Sequence, residues 1–158
     1  MARLSTLELR AWRGFLHTHG AVWKTLDTEL GQEFGLGLPA YELLMVLEEA
    51  GGAGVRMTDL ARSLRFSGGG LTRLVDRLQQ GGLIERRRAE ADGRGFEAVL
   101  TAQGHCLLKR VHVRHLRAVR ALFLDRLTQE EQQTLAGIWD RLGSPASPPS
   151  APLSPAKE

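Results

Sequence analysis

The segment SGGGLTRLVDRLQQGGLIERRRAEADGRGFEAVLTAQG, residues 67–104, contains the change of hydrophobic period that decides the fold. Apolar residues first recur at helical spacing, at Leu71, Leu74, Val75 and Leu78. The glycines at 81 and 82 then end this helix, because glycine is the commonest residue just past a last helical turn. LIERRR at 83–88 and FEAVL at 96–100 follow with a period of two, which predicts two strands joined in a hairpin.

Two short elements precede this segment. Val55-Arg56-Met57 has the composition of a short strand, and Thr58 is a predicted N-cap for the helix TDLARSL. Ser67 is placed in the same way before the next helix, whose first apolar residue is Leu71. The order of helix, short turn, helix and two-stranded hairpin is that of a winged helix-turn-helix, which we place at residues 39–101.

Long amphipathic helices are predicted on both sides of this lobe. Apolar side chains recur every three or four residues across 5–34, and the breaker GLGLP leads into a helix that begins at Pro39 and stops at Gly51-Gly52. Residues 102–143 hold two more helices, the second of which starts at a capping box, Thr128 to Glu131. Their apolar stripes exceed what a small lobe can cover, so we expect 5–34 and 102–143 to be dimerisation helices.

The expected fold class is mainly α, of the α+β kind, with a single domain at residues 1–143. The tail at 144–158 is rich in proline and serine and is expected to be disordered. A chain of 158 residues, 42% hydrophobic and 25% charged, suits one globular domain. Apolar runs are too short for a membrane helix, we find no signal peptide, and Cys106 is the single cysteine. These features predict a cytoplasmic protein without disulfides, away from the membrane.

Positive charge is concentrated in the predicted lobe. The net charge of +3 is modest, but residues 56–94 hold nine arginines against five acids. Such a patch is the electrostatic footprint of a nucleic-acid partner. The second helix of the pair would enter the DNA major groove. Its outward positions include Thr72, Arg73 and Arg77, and Arg73 has the geometry to reach a guanine edge or a phosphate.

The hairpin supplies the second predicted contact with DNA. Arg94 is the candidate for insertion into the minor groove, and Asp92 is placed to hold its guanidinium. Arg86, Arg87 and Arg88 lie on the incoming strand, where they would serve phosphates or pair with Glu90. A solvated hairpin is the alternative, and the helix pair upstream favours contact over it.

The three glycines at 68–70 leave two interpretations open. In the first, Ser67, Gly68 and Gly69 bring backbone N–H groups of the helix N-terminus close to a phosphate. In the second, the glycines form a loose loop and the helix starts at Leu71. Each glycine in a helix costs about 1 kcal/mol relative to alanine, so the triplet is not neutral. Both interpretations leave base reading to few side chains.

The motifs of residues 67–104 resemble the core of the multiple antibiotic resistance regulator (MarR) family. That family has a helix S-x-x-x-x-T-R-x-x-D-x-L, then G-L-I/V-x-R, a wing with D-x-R, and L-T-x-x-G. The matching positions here are Ser67, Thr72, Arg73, Asp76, Leu78, Gly82, Leu83, Ile84, Arg86, Asp92, Arg94, Leu100, Thr101 and Gly104. With the flanking helices, the resemblance covers roughly residues 5–143. The wing departs from the family's frequent D-R-R, since it has D-G-R.

The resemblance implies a homodimer that binds double-stranded DNA at a palindromic operator. It also implies a repressor released by a small phenolic or aromatic effector, held between the dimer helices and the winged lobe. The candidate ligand-binding residues are Trp12, Arg13, His19, Trp23 and Tyr41. Ordinary core or dimer-interface packing is the simpler interpretation for any single tryptophan.

Other functions find less support in the sequence. Cys106 would serve as a thiol sensor only with a depressed pKa, and packing inside a helix is the favoured interpretation. His105, His112 and His115 could form a zinc site with His17 or His19, but solvated or interface histidines are favoured. No catalytic motif or cofactor-binding motif is present, so an enzyme is not expected. A winged-helix protein-interaction module, or a metal- or thiol-responsive member of the same family, is the alternative function.

Overall fold

The computed structural model describes residues 3–64, 68–88 and 95–143. It is mostly helical with one small antiparallel sheet, which confirms the predicted fold class. The helices are α1 (Thr6–Phe34), α2 (Leu38–Ala50), α3 (Met57–Ser63), α4 (Gly68–Gln80), α5 (Ala102–Leu122) and α6 (Gln129–Leu142). The strands are β1 (Val55–Arg56), β2 (Ile84–Arg88) and β3 (Phe96–Leu100). The chain divides into two compact units, Met1–Arg126 and Leu127–Glu158.

The long helix α1 begins and ends at residues suited to those positions. Ser5 and Glu8 form a capping box, in which each side chain accepts a hydrogen bond from the other residue's backbone N–H. Gly35 ends the helix with φ of 68°, a left-handed conformation that glycine adopts without strain. Leu26 and Leu30 are buried, whereas the first half of the helix is exposed.

A leucine-rich core joins the helices of the first unit. It comprises side chains of α1, α2, α3, α4, α5 and the sheet, and its fully enclosed large members are Leu30, Leu43, Leu44, Leu47, Leu60, Leu71, Leu78, Ile84, Val75 and Val111. The predicted inner face of α4 is confirmed, since all four of its apolar positions are buried. This burial fixes which side of α4 faces outward.

The sheet has the strand order β1-β3-β2, with both pairings antiparallel. The predicted hairpin is confirmed, and Ile84 lies opposite Leu100 at its inner end. Val55 of β1 lies opposite Ala98, so the short β-like piece before the helix pair adds a third strand. Phe96, Ala98 and Leu100 occupy alternate positions of β3, but Phe96 is 55% exposed while Ala98, Val99 and Leu100 are buried. Phe96 lies at the outer end of the hairpin, beyond the helices that cover the sheet.

Two predicted helix starts differ from the structure. Thr58 is not an N-cap: α3 begins at Met57, and Arg56 caps it with extended backbone and no side-chain hydrogen bond. The reason is that β1 pairs with β3 up to Arg56, so the helix starts as soon as the strand ends. Likewise, α2 begins at Leu38 rather than at Pro39. The carboxylate of Asp27 accepts a hydrogen bond of 2.7 Å from the Leu38 N–H, so α1 supplies this cap.

The two C-terminal helices start at threonine caps. The Thr101 hydroxyl accepts a hydrogen bond of 3.0 Å from the Gly104 N–H at the start of α5. Thr128 and Glu131 form the predicted capping box of α6. Both threonines have extended backbone, as an N-cap requires. Across the described ranges, no helix is long and apolar enough to cross a membrane.

Gly104 has no room for a side chain, and we expect Gly104→Ala to destabilise the fold. A Cβ there would lie 2.9 Å from Leu100 Cδ2 and closer still to the Leu83 carbonyl oxygen. Overpacking of this kind costs about 1–3 kcal/mol, which exceeds the gain in helix propensity. Urea unfolding of Gly20→Ala is the matched control, since a Cβ on that α1 glycine meets nothing within 4 Å. Equal stability of both variants would contradict the close approach.

Candidate nucleic-acid interface

The outward face of α4 carries the side chains predicted to read DNA. Thr72, Arg73 and Arg77 are exposed, and so is Gln80 in the last turn. They lie opposite the buried leucine face, so packing of the lobe fixes their direction. Two cations and neutral hydrogen-bonding groups on one helix face suit the acceptor-rich edge of a guanine and the phosphates beside it.

The glycine triplet forms the first turn of α4. The helix begins at Gly68, so the loose-loop interpretation, in which the helix starts at Leu71, is wrong. Gly69 is exposed, and a Cβ built on it meets nothing within 4 Å. The first N–H groups of a helix lack intrahelical acceptors, so this open end can approach an anion closely. Ser67 lies outside the described residues.

Arg86 forms an ion pair with a residue of α4. Its Nη2 donates a hydrogen bond of 2.6 Å to Asp76 Oδ1, and the two side chains are 26% and 44% exposed. This ion pair joins α4 to strand β2. The sequence predicted that Arg86 would serve a phosphate or pair with Glu90, which lies outside the described residues. The partner was missed because sequence spacing does not show that Asp76 and Arg86 meet across the helix–strand turn.

The other arginines of the strand differ in their surroundings. Arg87 pairs with Glu85 at 2.6 Å along the same strand, while Arg88 is exposed at the end of β2. Across the sheet, Arg56 of β1 lies 3.8 Å from Glu97, a pair that the sequence analysis also missed. Asp92 and Arg94, the predicted wing-tip residues, lie outside the described residues.

A groove of about 350 Å³ lies between α4 and β2. Its lining combines the Asp76–Arg86 pair with Gln79 and Gln80, both exposed at the end of the helix. Sequence reasoning singled out neither glutamine as a site residue, although two adjacent amides at the end of a recognition helix are a usable signal. Amide side chains can donate and accept at the same time, which suits base edges and phosphates alike.

The five predicted ligand residues fall into two groups. Trp12, His19 and Trp23 are exposed on α1, and with Phe15 they form a continuous row of rings, with successive centroids 6.0 Å apart. Arg13 is exposed on the same helix. Apolar residues three and four positions apart predicted one stripe along this helix, and their rings do contact one another in sequence order.

Tyr41 belongs to a second group, between α2 and α5. Its side chain is 6% exposed, and its hydroxyl shares a hydrogen bond of 2.8 Å with His112 Nδ1. The ring of His115 lies 4.5 Å from the Tyr41 ring, centroid to centroid. Burial raises the pKa of Tyr41 to about 12, with a further contribution from Glu42. Burial, and then the proximity of His112, lowers the pKa of His115. Both rings are therefore neutral near neutral pH.

Cys106 and the histidines of α5, the candidate sensor residues, lie in different surroundings. Cys106 is exposed, so the favoured interpretation of a packed cysteine is wrong. It lies on the solvent side of α5, because the buried positions of that helix are Gly104, Leu108, Val111 and Ala118. His105 pairs with Glu48 of α2. Among the described residues, no group of three histidine, cysteine or acidic side chains is arranged to hold a metal ion.

Comparisons with known proteins agree with this architecture. The model of the MarR family matches residues 34–95. The chain is 30% identical to the HTH-type transcriptional repressor Rv2887 of Mycobacterium tuberculosis over 129 residues, 82% of this chain and 91% of that protein. It is similar to the crystal structure of AbsC, a MarR family transcriptional regulator from Streptomyces coelicolor: the TM-score is 0.83 and the identity 32%, over 90% of this chain and 95% of the other. For Sco3205, a MarR family regulator of the same organism in complex with DNA, the TM-score is 0.84 and the identity 31%, over 97% and 96%.

The fold and these likenesses define a DNA-binding transcriptional regulator of the helix-turn-helix class, not an enzyme. The chain belongs to the MarR family.

The Asp76–Arg86 pair should contribute measurably to stability because it is partly shielded from water. In a double-mutant cycle with Asp76→Ala and Arg86→Ala, we expect a coupling free energy of about 1 kcal/mol in urea unfolding. The pair Glu85–Arg87 is the matched control on the same strand, and its greater exposure should hold the coupling below about 0.5 kcal/mol. Equal coupling free energies in the two cycles would show that the Asp76–Arg86 pair stabilises the fold no more than an exposed pair does.

The depressed pKa of His115 makes stability depend on pH. The ordinary value is 6.5, so below that pH the unfolded chain binds the proton more readily than the folded chain. Stability is therefore full above 6.5 and is lost as the pH falls through and below it. We expect His115→Phe, which keeps a ring beside Tyr41, to flatten this decline in urea unfolding between about pH 7.5 and 5.5. His17→Phe on exposed α1 is the control, and an equal flattening there would contradict the assignment to His115.

Proposed function

We propose that this protein is a homodimeric repressor that binds a palindromic operator in double-stranded DNA and is released by a small aromatic ligand. The observation that carries the proposal is the outward face of α4, with Thr72, Arg73 and Arg77 exposed beside the arginine-rich strand β2. A helix of this kind in the major groove reads bases from its N-terminal half, and cations at the flanks position it on phosphates.

Each proposed DNA contact has a separate role. Arg73 makes a bidentate contact with a guanine or binds the adjacent phosphate. The first turn of α4, at Gly68 and Gly69, directs N–H groups at a phosphate. Arg88 adds backbone contact at the wing, and Arg94, supported by Asp92, enters the minor groove. Arg86 acts through the orientation of the wing, since Asp76 already occupies its guanidinium.

Dimerisation is supported by the aromatic row of α1. Trp12, Phe15, Leu16 and Trp23 form an exposed apolar stripe. Apolar stripes of this length seldom stay open to water on a single chain, and a second copy in a two-fold arrangement would cover both stripes at once. Trp139 and Leu142 of α6 are exposed as well. Two lobes related by a two-fold axis would read a palindrome.

The proposed effector is a small phenolic or aromatic molecule. Trp12, His19 and Trp23 present ring faces, and Arg13 presents a cation. Tyr41 is engaged with His112, so a ligand that reaches it must replace that hydrogen bond. Loss of that hydrogen bond would change the contact of α2 with α5, and a change there would alter the position of the winged lobe. Repression is supported by the similar mycobacterial protein, which is a repressor. The proposed site of action is the cytoplasm.

The first test is selection of genomic fragments by the purified protein at near-physiological salt, followed by sequencing. We expect a shared palindrome with half-sites about one helical turn apart, bound by a dimer in analytical ultracentrifugation. Fragments with no common sequence would leave charge attraction alone and favour a protein-interaction module.

Arg73→Ala should then lower the preference for the selected operator over scrambled DNA. Loss of one bidentate base contact costs about 1–3 kcal/mol on the operator and little on scrambled DNA, as measured by fluorescence anisotropy. Arg10→Ala, an exposed arginine of α1, is the control and should change neither affinity. Equal losses on operator and scrambled DNA would reduce Arg73 to a phosphate contact.

A further inference from the structure

The outer face of α5 carries an unbalanced positive charge. Its sequence, Ala102–Leu122, contains five lysines and arginines and no aspartate or glutamate. Four of the cations, Lys109, Arg110, Arg114 and Arg117, line a groove of about 430 Å³ that α5 forms with the end of α1. Like charges three and four residues apart on a helix repel one another, so the arrangement disfavours the free helix.

The floor and walls of this groove are held in place. Phe34 of α1 and Val113 of α5 supply apolar surface, and Val113 is 51% exposed. Arg114 Nη2 lies 2.9 Å from Glu29, and its Nε donates a hydrogen bond of 2.9 Å to Glu33. These two ion pairs fix α5 against α1. They also neutralise Glu33, the one carboxylate that lines the groove.

The remaining three cations are available to a ligand. In the part of the chain that the structure describes, Lys109, Arg110 and Arg117 form no ion pair with a carboxylate. The guanidinium of Arg110 lies 5.8 Å from the centroid of the Phe34 ring, a cation–π contact that holds it at the edge of the groove. Arg110 and Arg117 are seven residues apart, about 10 Å along the helix axis, with Val113 between them.

We propose that this groove binds a small amphipathic organic dianion: an apolar or planar body with a negative group at each end. The apolar body would lie on Phe34 and Val113, while Arg110 with Lys109 and Arg117 would bind the two anionic ends. The volume is that of a small-molecule site, about 300–1,000 Å³, whereas a protein partner needs about 800 Å² of surface on each side. The groove is formed by α1 and α5, so it is separate from the operator-reading helix α4.

Isothermal titration calorimetry at low salt with naphthalene-2,6-disulfonate tests the proposal. We expect one binding event per protomer, tighter than that of inorganic pyrophosphate, which has the charge without the apolar body, or naphthalene-2-sulfonate, which has one anion. Arg110→Gln and Arg117→Gln should each weaken binding about tenfold, the effect of losing one charge-assisted contact. Arg120→Gln is the control, since Arg120 is exposed on α5 but does not line the groove.

Val113→Asp is a second variant, which places on the floor of the groove a negative charge that would repel the anionic ligand. Val113 is exposed, so the fold should tolerate the change. We expect it to abolish binding with an unchanged thermal melt. Three results would overturn the proposal: no binding of the disulfonate, an equal loss in Arg120→Gln, or binding of pyrophosphate as tight as that of the disulfonate. Displacement of the disulfonate by non-specific duplex DNA would instead identify a phosphate-backbone contact and overturn it too.

Discussion

The hydrogen bonds of Thr101 join the three parts of the protein on which its function depends. Its hydroxyl donates to the Gly82 carbonyl at 2.7 Å and accepts from the Gly104 N–H at 3.0 Å, while its own N–H donates to the Leu83 carbonyl at 3.1 Å. The turn after α4, the end of β3 and the start of α5 therefore meet at one residue. The approach is so close that position 104 must be glycine. Thr101 therefore ties the start of α5 to the end of the sheet and to the turn after α4.

Charge in the winged lobe is divided between holding the structure and meeting DNA. Asp76 binds Arg86 and Glu85 binds Arg87, so two of the three consecutive arginines are paired within the protein. Arg73, Arg77 and Arg88 are exposed, and they are the cations that the proposed contact with DNA would use. Since paired charges keep a fixed direction, α4 and β2 present their cations as one rigid surface. Such preorganisation reduces the ordering cost of binding.

Helix α5 faces three different surroundings along its length. Its buried face packs into the core through Leu108 and Val111, and its flank meets Tyr41 through His112 and His115. The outer face carries cations, of which Arg114 forms ion pairs with α1 and Arg110 lies over the ring of Phe34. Because one helix connects the wing, the Tyr41 cluster and the basic groove, a change at any of them acts on the same rigid element.

The sequence by itself determined the order and type of the main elements. Helical periodicity gave α1, α4 and α5 and the buried face of α4, and the glycines at 81 and 82 together with a period of two gave the hairpin, because these features depend on local backbone preference. The threonine at 128 marked the start of α6 for the same local reason. The order of these elements indicated the winged helix-turn-helix class, and the spaced motifs indicated the MarR family.

Only the tertiary structure decided which polar groups form hydrogen bonds and ion pairs, and where a helix starts at a residue other than the one that local sequence preference predicts. Strand β1 displaced the expected cap at Thr58, Asp27 of α1 capped α2, and Asp76 paired with Arg86. The exposure of Phe96 and Cys106 likewise depends on which neighbours cover them. The basic groove needed two helices that lie far apart in sequence. In each case the deciding partner belongs to another secondary-structure element, so its contribution arises from packing, which a local pattern does not encode.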